Sequence, residues 1–162
     1  GLFACSAILY NHESPRRGLE FVTRKVTHEV AKIKLGMSAT LSLGNLEACR
    51  DWGFAGDYVL AMWKMLQMPK ADDYVIASGK VHSVRELCEI AFEHVDLNYK
   101  DYVREDVNVF RPTESFQLAG DASKAEKYLN WVPKIGFREI IGIMIDADLL
   151  SLQEKNNINN IR

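Results

Sequence analysis

The sequence is poor in the residues and patterns that define several protein classes. Among 162 residues it holds only three cysteines, Cys5, Cys49 and Cys88, and none belongs to a CxxC pair. We therefore predict neither a disulfide framework nor a zinc site, and a reducing, cytoplasmic compartment is the simpler expectation. The four histidines show neither an HExxH motif nor a paired spacing typical of metal ligands. We predict no metal site.

The chain also lacks an excess of positive charge and a long apolar run. Its formal net charge is −2 and its isoelectric point is near 6.1. Nucleic acid and anionic membranes both require a large cationic excess, so neither is expected as a partner. The apolar opening, residues 1–10, is about half the length of a bilayer span. We expect no membrane anchor and no signal peptide, and the absence of an initiator Met suggests the second part of something longer.

Strand and helix signals alternate along a chain that is 48% hydrophobic and 26% charged, which favours a globular α/β protein. The nearly continuous apolar run at residues 2–10 predicts a strand covered on both faces, as in a mainly parallel sheet. Further strands are predicted at 40–43, 73–79 and, irregularly, 99–107. Helices are predicted at 21–36, 57–66, 84–94 with Ser83 and Glu86 as a capping box, 121–128 and 136–153, before a frayed tail at 156–162.

A polar segment follows the first predicted strand. Residues 11–18 read Asn-His-Glu-Ser-Pro-Arg-Arg-Gly, and residues 21–25 read Phe-Val-Thr-Arg-Lys. This pattern is typical of a loop that leaves a buried strand and enters a helix, where open α/β sheets bind their ligands. An ordinary polar connection is an equally good interpretation on composition alone. Further cations in turns, at Arg50 and Arg111, favour the ligand site.

Arginine suits phosphate because its planar guanidinium donates two parallel hydrogen bonds and stays charged. Arg50 and Arg111, with Lys25 at a helix start, are therefore candidates to clamp a diphosphate. The alternative is that Arg50 pairs with Asp51 or Asp57, and Arg111 with Glu114, in solvated ion pairs worth little.

Several segments together resemble the GDP-mannose 4,6-dehydratase family of the extended short-chain dehydrogenase/reductase group. The likeness extends from Phe3 to about Leu150. Its most specific parts are residues 11–18 and 21–25. The others are Leu-Gly-Asn at 43–45, Arg-Asp-Trp-Gly at 50–53, Tyr-Val at 58–59, Arg-Pro-Thr-Glu at 111–114 and Gly-Asp-x-x-Lys-Ala at 120–125.

The resemblance implies a fold and partners. Residues 1–155 would be the C-terminal portion of a Rossmann-type parallel sheet plus a smaller mixed α/β substrate-binding domain, with 156–162 as a tail. The implied partners are GDP-mannose and a missing N-terminal half, and the complete enzyme is expected to be a homo-oligomer.

The resemblance also implies a reaction, the NADP-dependent removal of water from GDP-D-mannose to give the 4-keto-6-deoxy sugar nucleotide. In the family, hydride leaves C4, water is lost across C5 and C6, and hydride returns to C6; the 4-ketone acidifies the C5 proton. By this likeness His12 and Arg17 contact NADP. Arg50 and Arg111 would neutralise the diphosphate. The implied GDP-sugar contacts are Asn11, Val22, Lys25, Leu43, Gly44, Asn45, Arg50, Arg111 and Glu114.

The family's glycine-rich turn, its Thr and Glu acid/base residues and its Tyr-x-x-x-Lys pair all belong upstream of Phe3. We therefore predict no catalytic residue in this chain and no turnover by the chain alone. Asn130 also replaces the glycine usual before Trp131, a change expected to affect a helix end. Two alternatives stay open: a non-catalytic binding or assembly fragment, and a sister epimerase or dehydratase acting on another sugar nucleotide.

Overall fold

The computed structural model describes residues 1–106 and 118–159, which fall into two compact units. Of these residues, the first unit comprises 1–14, 49–82 and 118–140, and the second comprises 15–48, 83–106 and 141–159. In chain order the described elements are β1 (Ser6–Leu9), β2 (Asn11–Glu13), α1 (Val22–Lys34), β3 (Leu41–Leu43), β4 (Cys49–Phe54), α2 (Ala55–Met65), β5 (Asp73–Ile76), β6 (Val81–Ser83), α3 (Val84–Glu93), α4 (Tyr99–Tyr102), β7 (Val103–Glu105), α5 (Ser123–Leu129) and α6 (Phe137–Asn159).

The strand pairs whose register is defined are all parallel. In the first unit β1 pairs with β5, with Ser6 opposite Asp73, and β2 pairs with β4, with His12 opposite Gly53. Strand β6 extends the second of these sheets, in the order β2-β4-β6. In the second unit β3 pairs with β7. Parallel strands separated by helices confirm the predicted α/β class.

The core of the first unit forms where helices α2 and α5 pack against strand β5. Trp131 and Tyr58 are its largest fully buried side chains, and their rings meet edge to face with centroids 6.0 Å apart. The indole nitrogen of Trp131 donates to the carbonyl of Asp57 at 2.8 Å, which satisfies the polar end of a buried ring. The Asp57 carboxylate accepts from the backbone nitrogens of Lys134 and Ile135. The segment after α5 is thus tied to the start of α2.

The second unit is built around contacts between helices α1 and α3. Helix α1 buries Val26, Val30 and Ala31 completely, at the spacing of one helix face. The helix ends in a Schellman motif: the backbone nitrogen of Met37 donates to Lys32 and that of Gly36 to Ile33. Gly36 has a φ of +70°, which a glycine adopts without strain. The predicted stop at position 36 is confirmed.

Helix α3 begins as its sequence predicts. The hydroxyl of Ser83 accepts from the backbone nitrogen of Glu86 at 3.0 Å, so an otherwise unpaired amide of the first turn is satisfied. Helix α5 ends on Asn130, whose φ of 47° and ψ of 50° are left-handed. This is the conformation in which glycine is favoured. The expectation that Asn130 acts on a helix end is confirmed.

The structure differs from the sequence predictions at several elements. Strand β1 has only four residues and none is buried, because β5 is its one partner in the described chain; Ile8 stays 55% exposed. Strands β4 and β6 were not predicted. The irregular strand predicted over 99–107 is a short helix, α4, followed by β7. Helix α6 extends to Asn159 and takes in the start of the predicted frayed tail, while residues 160–162 lie outside the described part.

No helix in the described part of the chain has the length and apolar character needed to cross a membrane. All three cysteines are free thiols.

Candidate functional site

The first three residues of the polar segment form strand β2, so the predicted loop begins later than expected. Asn11 lies opposite Trp52 in the parallel pair with β4. Its side-chain amide donates to the carbonyl of Asp51 at 3.1 Å. This bond fixes the Asn11 side chain to the strand that carries Arg50, and the two residues are thereby held on neighbouring strands of the first unit.

The ring of His12 is held by its own strand and by Tyr58. Its Nδ1 lies 2.9 Å from the carbonyl oxygen of Tyr10, an atom that can only accept, so Nδ1 carries the hydrogen. In the neutral ring Nε2 is therefore an acceptor. The ring also contacts Tyr58, with centroids 5.3 Å apart. His12 is thus fixed in position and tautomer.

Tyr58 is completely buried, and its hydroxyl has no hydrogen-bond partner within the described part of the chain. Burial raises the pKa of this phenol well above its ordinary value, and the negative charges of Asp51, Glu13 and Asp57 raise it further. The ring packs on Gly53, which lies opposite His12 in the sheet. An unpaired buried hydroxyl is costly, so its presence beside His12 needs an explanation.

Asp51 is a hub that sequence reasoning missed. Its carboxylate is 1% exposed and accepts four hydrogen bonds. Oδ1 accepts from the backbone nitrogen and hydroxyl of Ser78, at 2.9 and 2.6 Å. Oδ2 accepts from the backbone nitrogens of Gly79 at 2.9 Å and Gly120 at 3.1 Å. One buried carboxylate thus joins the middle of β4, the segment after β5 and the segment before α5.

Arg50 lies inside strand β4, not in the turn that the sequence suggested. Its guanidinium donates to the carbonyl of Cys49 at 2.7 Å, which bends the side chain back along its own strand. The alternative reading made Asp51 or Asp57 its partner. Both carboxylates accept from backbone N–H groups. The pairing of Arg50 with either acid stays a prediction.

In the second unit the structure brings Lys25 to the end of strand β3. Its ammonium donates to the carbonyl of Ser42 at 2.6 Å, next to Leu43. Lys25 is exposed and Val22, in the same turn of α1, is half-buried. Residues 21–25 and 43–45 therefore lie next to each other in the second unit.

The three residues at 43–45 divide into a buried and an accessible part. The Leu43 side chain is 3% exposed, and its carbonyl accepts from the backbone nitrogen of Asp106 at 2.8 Å. The Leu43 side chain therefore packs in the core, and its contact with a ligand stays a prediction. Gly44 and Asn45 follow it, and the Asn45 side chain accepts from the backbone nitrogen of Glu47 at 2.8 Å. This bond shapes the turn after β3.

Arg17 lies in the second unit with its guanidinium carbon 3.5 Å from the centroid of the Phe21 ring. Such stacking fixes the plane of the guanidinium against the aromatic ring. Two further predicted site residues, Arg111 and Glu114, lie outside the described residues. The structure thus groups Asn11, His12 and Arg50 in one unit, and Arg17, Val22, Lys25 and 43–45 in the other.

The residues assigned to a dinucleotide by resemblance fit such a group chemically. The accepting Nε2 of His12 suits a ribose hydroxyl or a carboxamide, and the oriented guanidinium of Arg17 suits a phosphate. The hydroxyl of Tyr58, beside His12, is buried and has no hydrogen-bond partner in the described part of the chain, so a polar ligand atom could satisfy it. Within the residues described, no group of three or more His, Cys, Asp or Glu side chains is arranged to hold a metal ion.

Comparison with known proteins identifies the family. The sequence model of GDP-mannose 4,6 dehydratase matches residues 1–144. GDP-mannose 4,6 dehydratase 1 of Arabidopsis thaliana is 55% identical over 156 residues, which cover 96% of this chain and 43% of that protein. The GDP-mannose 4,6 dehydratase of Homo sapiens is 46% identical over 173 residues, covering 96% of this chain and 46% of that protein. The chain thus spans less than half the length of these relatives and corresponds to their C-terminal part.

Solved structures support the fold alone, since their identities are low. RMD from Pseudomonas aeruginosa complexed with NADPH superposes with a TM-score of 0.82 at 22% identity, covering 90% of this chain and 48% of that one. A dTDP-glucose 4,6-dehydratase from Bacillus anthracis in complex with NAD gives 0.70 at 19% identity, covering 87% and 43%. The Rossmann-type fold implied by the resemblance is confirmed. This chain belongs to the GDP-mannose 4,6 dehydratase family.

Proposed function

We propose that this chain forms the sugar-nucleotide-binding part of an enzyme that dehydrates GDP-D-mannose to GDP-4-keto-6-deoxy-D-mannose. The observation that carries the proposal is the family match over residues 1–144. The acid, the base and the Tyr-x-x-x-Lys pair would lie in the part of the relatives that this chain does not cover. Residues 1–155 would then hold the last Rossmann strands and the sugar-nucleotide-binding domain.

In the first unit we assign Arg50 to the diphosphate and Asn11 to the sugar-nucleotide side. A guanidinium neutralises phosphate charge and donates in a fixed plane, so Arg50 would leave the Cys49 carbonyl to bind it. Asn11 is anchored on Asp51 through its amide, and its side-chain oxygen stays available as an acceptor.

In the second unit we assign Lys25 to the diphosphate and Val22 and residues 43–45 to the surface that the nucleotide covers. Lys25 donates to a backbone carbonyl, and exchanging this neutral acceptor for a phosphate oxygen would strengthen the hydrogen bond. Leu43 would act through packing, since its side chain is in the core. Arg111 and Glu114 keep the roles implied by the resemblance, on the diphosphate and on ribose hydroxyls.

We assign His12 and Arg17 to the cofactor, which we propose is NADP. NADP, when bound, would supply the nicotinamide that takes a hydride from C4 of the sugar and returns it to C6 of the sugar. The reaction therefore has no net redox change. His12 would orient the cofactor through Nε2, because its Nδ1–H is committed to the Tyr10 carbonyl. Free thiols at Cys5 and Cys49, both partly accessible, suit the reducing cytoplasm where we place the reaction.

The proposal is tested by completing the chain with the N-terminal part of its Arabidopsis thaliana relative, up to the residue that aligns with Gly1. We expect this chimera to convert GDP-mannose to the 4-keto-6-deoxy product, detected by mass spectrometry as the loss of one water. The relative itself is the positive control. A folded chimera that neither turns over nor binds GDP-mannose would overturn the proposal.

Nucleotide choice separates this function from that of a sister enzyme. The chimera should bind GDP more tightly than UDP or dTDP in competition titrations. Preference for UDP would assign the chain to an epimerase or dehydratase of another sugar nucleotide. Binding of GDP-mannose with no turnover, by a chimera whose NADP is bound, would favour the non-catalytic alternative.

The role of Lys25 has a matched control on the same helix. Lys32 pairs with Glu29 at 2.9 Å, within α1. We expect Lys25→Gln to weaken GDP binding by about tenfold, the effect of one charge-assisted hydrogen bond to phosphate. Lys32→Gln should leave it unchanged.

A further inference from the structure

Helix α1 carries another cation, Arg24, whose partners lie on two other segments of the second unit. Its Nε donates to the carbonyl of Pro15 at 3.1 Å. Its Nη1 donates to Oδ2 of Asp148 on helix α6. The Arg24 side chain is 13% exposed and that of Asp148 is 2% exposed. One guanidinium therefore joins the polar segment, helix α1 and helix α6.

Asp148 is held from a second direction, which fixes the anchor itself. His28, one turn after Arg24 on α1, places its Nδ1 3.2 Å from Oδ1 of Asp148. A carboxylate this deeply buried is tolerated only when it is paired and hydrogen-bonded, and here each of its oxygens has a donor. Asp148 therefore cannot shift without disturbing both side chains of helix α1.

The planar guanidinium sets the geometry of the bridge. Nε and Nη1 lie in one rigid plane, so the position of the Pro15 carbonyl relative to the Asp148 carboxylate is determined by covalent geometry. A lysine at position 24 would keep the charge beside Asp148, but its ammonium is a single point at the end of a flexible stem. It could not hold both acceptors at a defined separation.

The segment fixed in this way connects predicted cofactor and substrate residues. It runs from Pro15 to the start of α1, where the backbone nitrogen of Phe21 donates to the carbonyl of Gly18 at 3.2 Å. Arg17 lies in this segment and stacks on Phe21. Lys25 follows Arg24 directly on the helix.

We propose that Arg24 is a positioning residue: by bridging the Pro15 carbonyl to the buried Asp148 carboxylate, it sets where Arg17 lies relative to Lys25. This inference rests on the proposed function, which assigns Arg17 to the cofactor and Lys25 to the diphosphate. Arg24 itself touches neither ligand. Its contribution is to hold the segment before α1 in one conformation, so that binding does not have to order it.

The first test uses the 162-residue chain and needs no activity. Arg24→Lys should speed hydrogen–deuterium exchange of the amides at residues 16–21 by about tenfold, because the segment opens locally more often. Exchange of the amides within α1 should be unchanged. Lys32→Gln, which removes an ion pair of the same helix away from this segment, is the matched control and should leave exchange as in the wild type.

The second test uses the chimera with the N-terminal part of the Arabidopsis thaliana relative. Arg24→Lys should raise KM for GDP-mannose and Kd for NADP by about tenfold, with kcat within about twofold, as expected when preorganised binding is lost. A purely structural ion pair would instead lower the melting temperature and leave KM unchanged. Asp148→Asn should change the same parameters in the same direction as Arg24→Lys.

Failure of the inference and failure of the proposed function are separable. An inactive wild-type chimera that does not bind GDP-mannose would overturn the proposed function. Hydrogen–deuterium exchange at residues 16–21 would still decide whether Arg24 fixes the segment. Unchanged exchange in Arg24→Lys overturns the inference, and so does faster exchange with unchanged KM and Kd. If Arg24→Lys does not fold, Asp148→Asn decides in its place. If neither variant folds, the bridge is structural and the inference is overturned.

Discussion

The hydroxyl of Tyr58 lies so close to the α-carbon of Gly53 that a β-carbon at position 53 would come within 2.6 Å of the hydroxyl oxygen. Gly53 is on strand β4, opposite His12, and the Tyr58 ring also contacts His12. The close approach of strand and ring therefore determines where His12 lies. Only glycine leaves room for it.

Gly53→Ala should destabilise the first unit by about 1–3 kcal/mol, the range seen when a packed core must accept an extra methyl group. Two ring carbons of Tyr58 would also lie within 2.8 Å of the new β-carbon, so moving the hydroxyl alone does not relieve the clash. The measurement is the midpoint of urea unfolding. Gly136→Ser is the control, since a β-carbon there meets nothing within 4 Å. Equal midpoints for wild type and Gly53→Ala would contradict the packing.

Tyr58→Phe removes a buried hydroxyl that has no partner in the described part of the chain. Removing a hydrogen-bonded polar group usually destabilises a protein, and this substitution should not. We expect the variant to match the wild type or gain up to about 1 kcal/mol, because no hydrogen bond is lost and an unpaired polar atom is removed. Thermal unfolding of the 162-residue chain measures this. A loss of stability would mean that the hydroxyl is satisfied in solution. In the chimera, weaker NADP binding by this variant would identify the cofactor as its partner.

Short sequence motifs correctly predicted the helix ends that are stabilised by contacts within a few residues. Gly36 and the Ser83–Glu86 capping box each specify a helix terminus through contacts within a few residues, and both are found where predicted. Strand β4 was missed for a physical reason. Its sequence, Cys-Arg-Asp-Trp-Gly-Phe, places Arg50 and Asp51 side by side within the strand, and the Asp51 carboxylate is stabilised by amides 27 to 69 residues away.

In the candidate site, contacts between segments adjacent in the chain were predictable from the sequence, and contacts between distant segments were not. The proximity of Lys25 to residue 42 follows from the adjacency of α1 and β3 in the chain, which sequence can suggest. Arg24 was not singled out, because its partner Asp148 is 124 residues away. Leu43 was predicted as a ligand contact from resemblance, whereas its burial became visible only once β7 was paired with β3.

Asp51→Asn should cost the first unit at least about 2 kcal/mol, because a buried donor would replace a buried acceptor. Each carboxylate oxygen accepts from two donors, so the new amide NH₂ faces two donors whichever way the side chain is turned. Urea unfolding gives the difference. Asp121→Asn is the matched control, since exposed Asp121 accepts from the backbone nitrogen of Ser123 through one oxygen, which an amide can replace. Equal losses in the two variants would contradict the hub role.

The three thiols should differ in reactivity in the folded chain. Burial raises the pKa of the Cys88 thiol to about 12, with Glu89 adding to the rise and Arg85 opposing it. Since the thiolate is the nucleophile, Cys88 should resist alkylation below about pH 9, while half-buried Cys5 and Cys49 react. Mass spectrometry after iodoacetamide should show two modifications when folded and three in urea. Modification of Cys88 at the same rate as the others would contradict its burial.

Asp72 and Lys124 form an exposed pair at 2.7 Å, and the pair should make stability depend on pH in a defined direction. The hydrogen bond from Lys124 lowers the pKa of Asp72 below its ordinary value of 3.8. Asp72 therefore contributes stability that is fully present above about pH 4 and is lost as the pH falls through the lowered folded pKa. Asp72→Asn should be slightly less stable than the wild type at neutral pH, with the two curves converging in acid.

Lys124 gives the corresponding effect at the other end of the pH range. Asp72 raises the pKa of Lys124, so the lysine's contribution is present below its ordinary value of 10.5 and is lost as the pH rises through the raised folded pKa. Urea midpoints of the wild type and Asp72→Asn across the pH range provide the measurement. Molar salt should shrink the difference at every pH, because an exposed pair is screened. A difference that persists in acid would contradict a contribution from the charge of Asp72.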